Sequence, residues 1–259
     1  MEPQDLDFLV RAVVDKRDDH EKVKEIIRDK EDFIEIMLED PKLFRKLWEK
    51  QEELIFISPY FLFNILLRQV RRDLKNITYM YEGHGHMRLP VFDAPKVKKI
   101  LDDDSVLSYL ADLLSSFTRT QTYTLIYRLG PKLYRRALSS IDLDDLIFLA
   151  GIVDERYKFE LNRRVGDLAL FIAGMFPEYI KETGRPVPWS KKIPRSLENY
   201  LEVGRYYYTL ASEHPYASEW GLRDVLSVLA ENVSSVQKAL NWLSEKYIGP
   251  KRSLWFNTF

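Results

Sequence analysis

The chain has 259 residues, 46% of them hydrophobic and 31% charged, so it is long and apolar enough to bury a sizeable core without disulfides or metals. Its 39 basic and 40 acidic side chains give no overall attraction to nucleic acid or to an anionic membrane, so such a partner would have to meet a local patch. The absence of cysteine excludes disulfides, thiolate zinc sites, iron–sulfur clusters and cysteine nucleophiles.

The start of the chain and its apolar runs predict neither a secretory signal nor a membrane helix. The first residues, MEPQDLDFLV, lack a basic region followed by a long apolar run. The longest apolar run, LALFIAGMF at 168–176, is far below the ~20 residues that a membrane helix needs. We therefore expect a soluble, cytoplasmic protein with no membrane partner. High charge of both signs without cysteine is also typical of a thermophile.

Several helix starts in the first half of the chain are marked by proline. Pro41, Pro59 and Pro95 each follow closely on a Ser or Asp that can cap a helix. The clearest amphipathic run is SVLSYLADLLSSF at 105–117, in which one apolar stripe is formed by Val106, Leu107, Leu110, Leu113, Leu114 and Phe117. These patterns predict helices that bury one face against a common core.

Two stretches break the helical period and predict β-hairpins. Residues 121–140 hold two runs rich in Thr, Tyr and Ile around the turn LGPK. Two similar runs, near 77–82 and 87–92, flank a Gly-His-Gly-His tip. A lone hairpin is marginal in water, so we expect the hairpins to pair with each other or to be covered by helices.

Helical periodicity returns beyond the second hairpin. The segment 155–177 is amphipathic at first and apolar on all sides from residue 168, which predicts the central helix of the fold. Its small residues would let neighbouring helices approach closely: Gly166, Ala169, Ala173 and Gly174. The stretch 181–196 has three prolines and no apolar periodicity, which indicates a connection. Three more helices are predicted after it, at 197–214, 219–232 and 233–248.

These elements together predict a mainly α fold. We expect one compact domain over residues 1–259, with about ten helices and one or two small β-hairpins inserted in the N-terminal half. The alternative is a subdivision into helices plus hairpins at 1–180, a basic proline-rich connection at 181–196, and C-terminal helices at 197–259.

The first candidate site is the tip of the hairpin near residue 84. Residues two apart on a strand face the same side, so Glu82, His84 and His86 could present a carboxylate and two imidazoles to one divalent metal ion of a metal-dependent enzyme. The glycines between them favour a bent tip instead, which scatters side chains. We therefore expect no cofactor and keep the metal ion as the alternative.

Two basic features raise the alternative of a nucleic-acid-binding protein. Cations recur three or four residues apart on the helix at 58–75, and the connection at 181–196 combines cations with an aromatic ring, as phosphate contacts and base stacking require. The candidate contacts are Arg68, Arg71, Arg72, Lys75, Lys191, Lys192, Arg195 and Trp189. Pairing of the helical stripe with acidic segments such as 29–40, and an ordinary linker, explain the same patterns.

A third candidate site lies on the central helix. Arg163 and Asp167 are four apart and can pair along it, while Arg164 lies on a neighbouring face close to the apolar half. If acidic neighbours do not satisfy them, these residues could hold a small anionic ligand, a carboxylate or phosphate, between helices. A purely structural salt-bridge network is the alternative.

For function, the sequence favours a non-enzymatic binding or adaptor protein that recognises a protein partner or a small anionic ligand. It contains no phosphate loop, no dinucleotide-binding glycine fingerprint, no Gly-x-Ser-x-Gly elbow and no His-Glu-x-x-His helix. Tyr206, Tyr207 and Tyr208 cannot all face inward on one helix, so at least one is exposed or meets a partner. We therefore expect a protein partner or a homo-oligomer.

Overall fold

A computed structural model describes residues 1–14, 19–28, 30–49, 56–77, 79–82, 89–91, 93–119, 122–129, 132–183 and 194–249. The described part is mainly helical, as predicted, and contains thirteen α-helices. The first seven are α1 (Pro3–Val13), α2 (His20–Ile27), α3 (Glu31–Leu38), α4 (Pro41–Glu49), α5 (Pro59–Asp73), α6 (Ala94–Leu101) and α7 (Asp104–Ser116).

Six helices make up the second half. They are α8 (Leu143–Ile152), α9 (Glu155–Met175), α10 (Pro177–Thr183), α11 (Leu197–Glu213), α12 (Pro215–Glu219) and α13 (Arg223–Leu243), and a π-helical turn, Ser244–Ile248, continues α13. The helix number exceeds the predicted ten because several helices, such as α10 and α12, are only two turns or less and carry no full amphipathic repeat. The division of the chain at 181–196 stays a prediction, because residues 184–193 lie outside the described ones.

The structure does not support the predicted hairpins as elements of the helical core. The backbone is paired in two separate antiparallel ladders, β1 (Met80–Glu82) with β2 (Leu89–Val91), and β3 (Thr122–Leu129) with β4 (Lys132–Ser139). Apart from Ser139, the side chains of these strands lie outside the described residues, and the described core is closed by helices alone. An isolated two-stranded ladder adds little to such a core, because it buries little apolar surface of its own.

Local capping explains where the early helices begin. The Ser58 hydroxyl accepts a hydrogen bond from the Phe61 backbone N–H at 3.2 Å, and Pro59 fills the first turn of α5. Asp103 caps α7 in the same way through the backbone N–H of Ser105 at 2.9 Å. The starts predicted at Pro41 and Pro59 are confirmed. Capping satisfies backbone donors that the first turn of a helix leaves free.

The core forms around α9, which α8, α11 and α13 surround. The second half of α9 is buried from Val165 to Met175, and this includes the apolar run that the sequence predicts to be buried on all sides from residue 168. On the other side of the core, α5 packs against α7 and the apolar stripe of α7 is buried. Within the described ranges, no helix has both the length and the apolar character that crossing a bilayer requires.

Candidate functional site

α9 and α11 pack most closely where glycines face each other. A Cβ built on Gly204 of α11 would lie 3.9 Å from the carbonyl oxygen of Gly166 and 3.8 Å from the Ala169 side chain on α9. A Cβ on Gly166 would lie only 2.9 Å from the ring of Tyr208. The backbones can approach this closely because neither glycine carries a side chain.

A cavity lies between the N-terminal half of α9 and the C-terminal half of α11. Its volume, about 440 Å³, is typical of small-molecule sites. From α9 it is lined by Glu155, Lys158 and Asn162, and from α11 by Tyr206, Tyr207, Leu210 and Glu213. The end of α8 and His214, just after α11, complete the wall. The lining positions on α9 are three and four residues apart, so they form one stripe that faces α11.

Asn162 is the deepest polar group of this cavity. It is only 7% exposed, and within the described residues its side-chain amide has no hydrogen-bond partner. Its amide atoms are not among the described polar atoms that are buried without a partner, so they are accessible from the cavity. The Asn162 amide is therefore a donor and an acceptor that a molecule in the cavity can reach.

Charged groups lie nearer the mouth of the cavity. The Lys158 ammonium is 2.7 Å from the Glu155 carboxylate, and this hydrogen bond lowers the pKa of Glu155, with a smaller contribution from nearby His214. His214 Nδ1 accepts a hydrogen bond from the Tyr216 backbone N–H at 3.2 Å, so a neutral His214 carries its proton on Nε2. Glu213 is exposed, and no ion pair to it is present among the described residues.

Exposed aromatic side chains belong to the cavity lining or pack close to it. Tyr206 is 59% exposed and its ring meets that of Tyr207 edge-on at 5.2 Å. Trp220 is 55% exposed and packs edge-on against the buried Phe159 ring, which His214 also contacts at 5.7 Å. Burial raises the pKa of Tyr207, so its hydroxyl stays protonated at neutral pH. The rim thus combines apolar contact area with hydrogen-bonding groups, a composition that suits recognition.

Around the anion site predicted on the central helix, the structure shows a buried network. Asp167 is 2% exposed, and its Oδ1 accepts hydrogen bonds from the hydroxyls of Tyr109 at 2.7 Å and Tyr208 at 2.9 Å. Arg163 lies 3.8 Å from Asp167 Oδ2 and donates to Glu160 at 2.8 Å. These contacts match the structural salt-bridge alternative.

Arg164 points elsewhere. Its guanidinium lies 3.7 Å from the Phe117 ring centroid and donates to the Ser116 hydroxyl at 2.6 Å, on α7. Arg163, Arg164 and Asp167 therefore do not point toward one common site. An anionic ligand at these residues stays a prediction.

The predicted basic stripe on α5 is largely paired with acidic residues. Arg68 is 1% exposed and binds Glu35 at 2.5 Å and also Glu39. Arg71 binds Glu39 as well, together with Asp104 at 3.0 Å, and Arg72 donates to the backbone carbonyl of Glu39 at 2.5 Å. Only Lys75 of the predicted stripe is exposed. Cations that are already buried in ion pairs offer little to phosphate, so nucleic-acid binding stays a prediction.

The remaining predicted site residues fall largely outside the described part of the chain. These are His84 and His86, Trp189, Lys191 and Lys192, and for Glu82 the backbone of β1 is described but the side chain is not. Arg195 is described and donates to Asp144 at 2.5 Å. Among the residues that the structure describes, no group of three His, Asp or Glu side chains could hold a metal ion. The metal-site hypothesis at 82–86 stays untested.

The sequence contains one indication of the α9–α11 cavity that none of the predictions draws on. Glu155, Lys158 and Asn162 place polar groups on one stripe of the helix predicted to be central. A polar stripe is usually a solvated face, and only the partner helix shows that this one faces protein. A buried asparagine cannot be told from an exposed one without that pairing.

No match to this chain was found among protein-family models, curated proteins or solved structures. The function is therefore argued from the site itself.

Proposed function

We propose that this protein is a non-enzymatic binding protein and that the cavity between α9 and α11 is its recognition site. The observation that carries this proposal is the Asn162 amide, which faces the cavity from a largely buried residue and has no hydrogen-bond partner among the described residues. Such an amide can bind a ligand without giving up a hydrogen bond within the fold.

The surroundings of the cavity support binding rather than catalysis. The lining offers an amide, tyrosine rings and one close ion pair between Lys158 and Glu155. His214 Nδ1 accepts a hydrogen bond from the backbone, and the described lining residues form no hydrogen-bonded pair of a nucleophile with a base. The exposed Tyr206 and Trp220 beside the opening add contact area for a protein partner that places a group in the cavity.

Replacing Asn162 by leucine tests this role, because binding should be lost while stability changes little. Leucine has a similar size, and no hydrogen bond within the described residues is lost, so the free energy of unfolding should stay within about 1 kcal/mol of the wild type. Binding in the cavity should be lost. Urea unfolding measures the first effect. The second is measured by NMR amide shifts on titration with benzamide, a planar neutral amide that Asn162 can bind through paired hydrogen bonds.

Gln237→Leu is the matched control. Gln237 has the same 7% exposure, but its amide donates to the Ala173 carbonyl at 3.1 Å, so its replacement should lower the free energy of unfolding by about 1–3 kcal/mol. Both the control and the variant lose the amide of a residue that is 7% exposed, and only the hydrogen bonding of that amide differs. If Asn162→Leu destabilises the protein as much as Gln237→Leu, Asn162 is a structural residue and the proposal is wrong.

A further inference from the structure

The cavity lining carries two carboxylates and one lysine. Glu155 and Lys158 form an ion pair and cancel each other. Glu213 has no compensating cation among the described residues. A ligand that enters the cavity therefore meets one uncompensated carboxylate. That charge attracts cations and opposes the anionic ligand that the sequence favoured.

The tyrosines of α11 provide a second feature that favours a cation. The rings of Tyr206 and Tyr207 meet edge-on, with their planes at 90°, so each keeps a ring face that the other does not cover. Ring faces carry negative electrostatic potential and bind ammonium and guanidinium groups. More than half of the Tyr206 side chain is exposed beside the opening, so its ring is accessible to an incoming group.

Asn162 completes the arrangement. Its amide oxygen can accept a hydrogen bond from a charged N–H donor, and such charge-assisted bonds are about twice as strong as neutral ones. The amide nitrogen could equally donate to an anion, so Asn162 alone does not select a charge. Glu213 and the tyrosine rings decide the selection, because both act against an anion.

We propose that the α9–α11 cavity recognises an organic cation, an amidinium, guanidinium or alkylammonium group, held by Asn162, the Tyr206 and Tyr207 rings, and Glu213. This inference rests on the proposed binding function. Such a group can belong to a small molecule or to a Lys or Arg side chain of a protein partner. Both sources present the same chemistry to the cavity.

Three compounds of nearly equal shape separate charge from fit. Benzamidine is a cation at neutral pH, benzamide is neutral and benzoate is an anion. We expect benzamidine to bind about fivefold to tenfold more tightly than benzamide, and benzoate to bind most weakly, as calorimetry and NMR shifts of the lining residues would show. Glu213→Gln should remove most of the preference for benzamidine over benzamide.

Glu198→Gln is the control for Glu213→Gln. Glu198 is exposed at the start of the same helix, about 22 Å along it from Glu213 and about 12 Å from Tyr206, and it does not line the cavity. Its replacement should leave the ranking of the three compounds unchanged. An equal effect of both variants would mean that only the general field of the protein acts, and it would overturn the assignment to Glu213.

Three further ligands distinguish a protein side chain from a free amine as the source of the cation. They are a capped Gly-Arg-Gly peptide, its citrulline counterpart and agmatine. Tighter binding of the arginine peptide than of agmatine indicates a side chain of a protein partner, and the reverse order indicates a free amine. If benzamide or benzoate binds as tightly as benzamidine and shifts the same residues, the cation inference is wrong while the binding function stands. If none of the three compounds shifts the lining residues, both are contradicted.

Discussion

Replacing Gly174 by alanine is expected to lower the free energy of unfolding by about 3 kcal/mol. A Cβ at this position would lie 2.5 Å from the Cβ of Leu240, far inside van der Waals contact. Leu240 cannot avoid it by changing rotamer, because its Cβ is fixed to the backbone of α13. The two helices must therefore separate, and the buried contacts around them are lost. Urea or thermal unfolding measures the effect.

Gly151→Ala is the control. Gly151 is also helical, near the end of α8, and a Cβ there would meet no atom within 4 Å. Alanine favours a helix over glycine by about 0.5–1 kcal/mol, so this variant should be slightly more stable than the wild type. Similar losses in both variants would show that α9 and α13 are not in close contact at Gly174.

This close contact is among the features that the sequence could predict. Small residues within an otherwise apolar run, such as Gly166 and Gly174, indicate close helix approach whatever the partner is. The structure supplies the partners, the Tyr208 ring for Gly166 and Leu240 for Gly174. The helical class was predictable for a similar reason, because amphipathic stripes and proline-led starts are local properties of the chain. Which helix a given residue contacts is not a local property, so the sequence pattern does not predict it.

The basic stripe shows the limit of local patterns more clearly. From the sequence alone, Arg68 and its neighbours could be solvated, paired or free to bind phosphate. Pairing with the acidic segment 29–40 was one of the alternatives, and Glu35 and Glu39 of that segment are the observed partners. The choice among these alternatives depends on where α3 packs against α5. Periodicity does not contain that information.

The C-terminal helix shows a boundary that the sequence predicts correctly. Separate helices are predicted on either side of Asn232, and α13 consists of two helical halves that meet in a kink at Asn232, where φ is −122° and ψ is 22°. The Asn232 amide donates to the Val228 carbonyl at 2.9 Å and so competes with the backbone hydrogen bonds of the helix. The break that the sequence pattern indicates at Asn232 is therefore present in the backbone. Continuous packing of the apolar face against α9 and α11 keeps the two halves together.

Replacing Asp167 by alanine is expected to lower the free energy of unfolding by about 2–4 kcal/mol. One carboxylate oxygen accepts hydrogen bonds from both Tyr109 and Tyr208, and both tyrosines are buried. Alanine would leave two buried hydroxyls without an acceptor and a small void beside them. Asp167→Asn keeps an oxygen for both hydroxyls, so it should lose much less. An alanine variant as stable as the asparagine variant would show that these hydrogen bonds contribute little.

The two variants also separate hydrogen bonding from charge through their dependence on pH. Burial raises the pKa of Asp167 above its usual value of 3.8, so the folded protein holds this proton more tightly than the unfolded chain does. The resulting stabilisation is complete below pH 3.8 and is lost as the pH rises through the folded pKa. Asparagine does not titrate there. Asp167→Asn should therefore gain stability relative to the wild type as the pH rises above about 4, as urea unfolding at a series of pH values would show. A difference that moves in the opposite direction would mean that the pairing of Asp167 with Arg163 outweighs the burial of its charge.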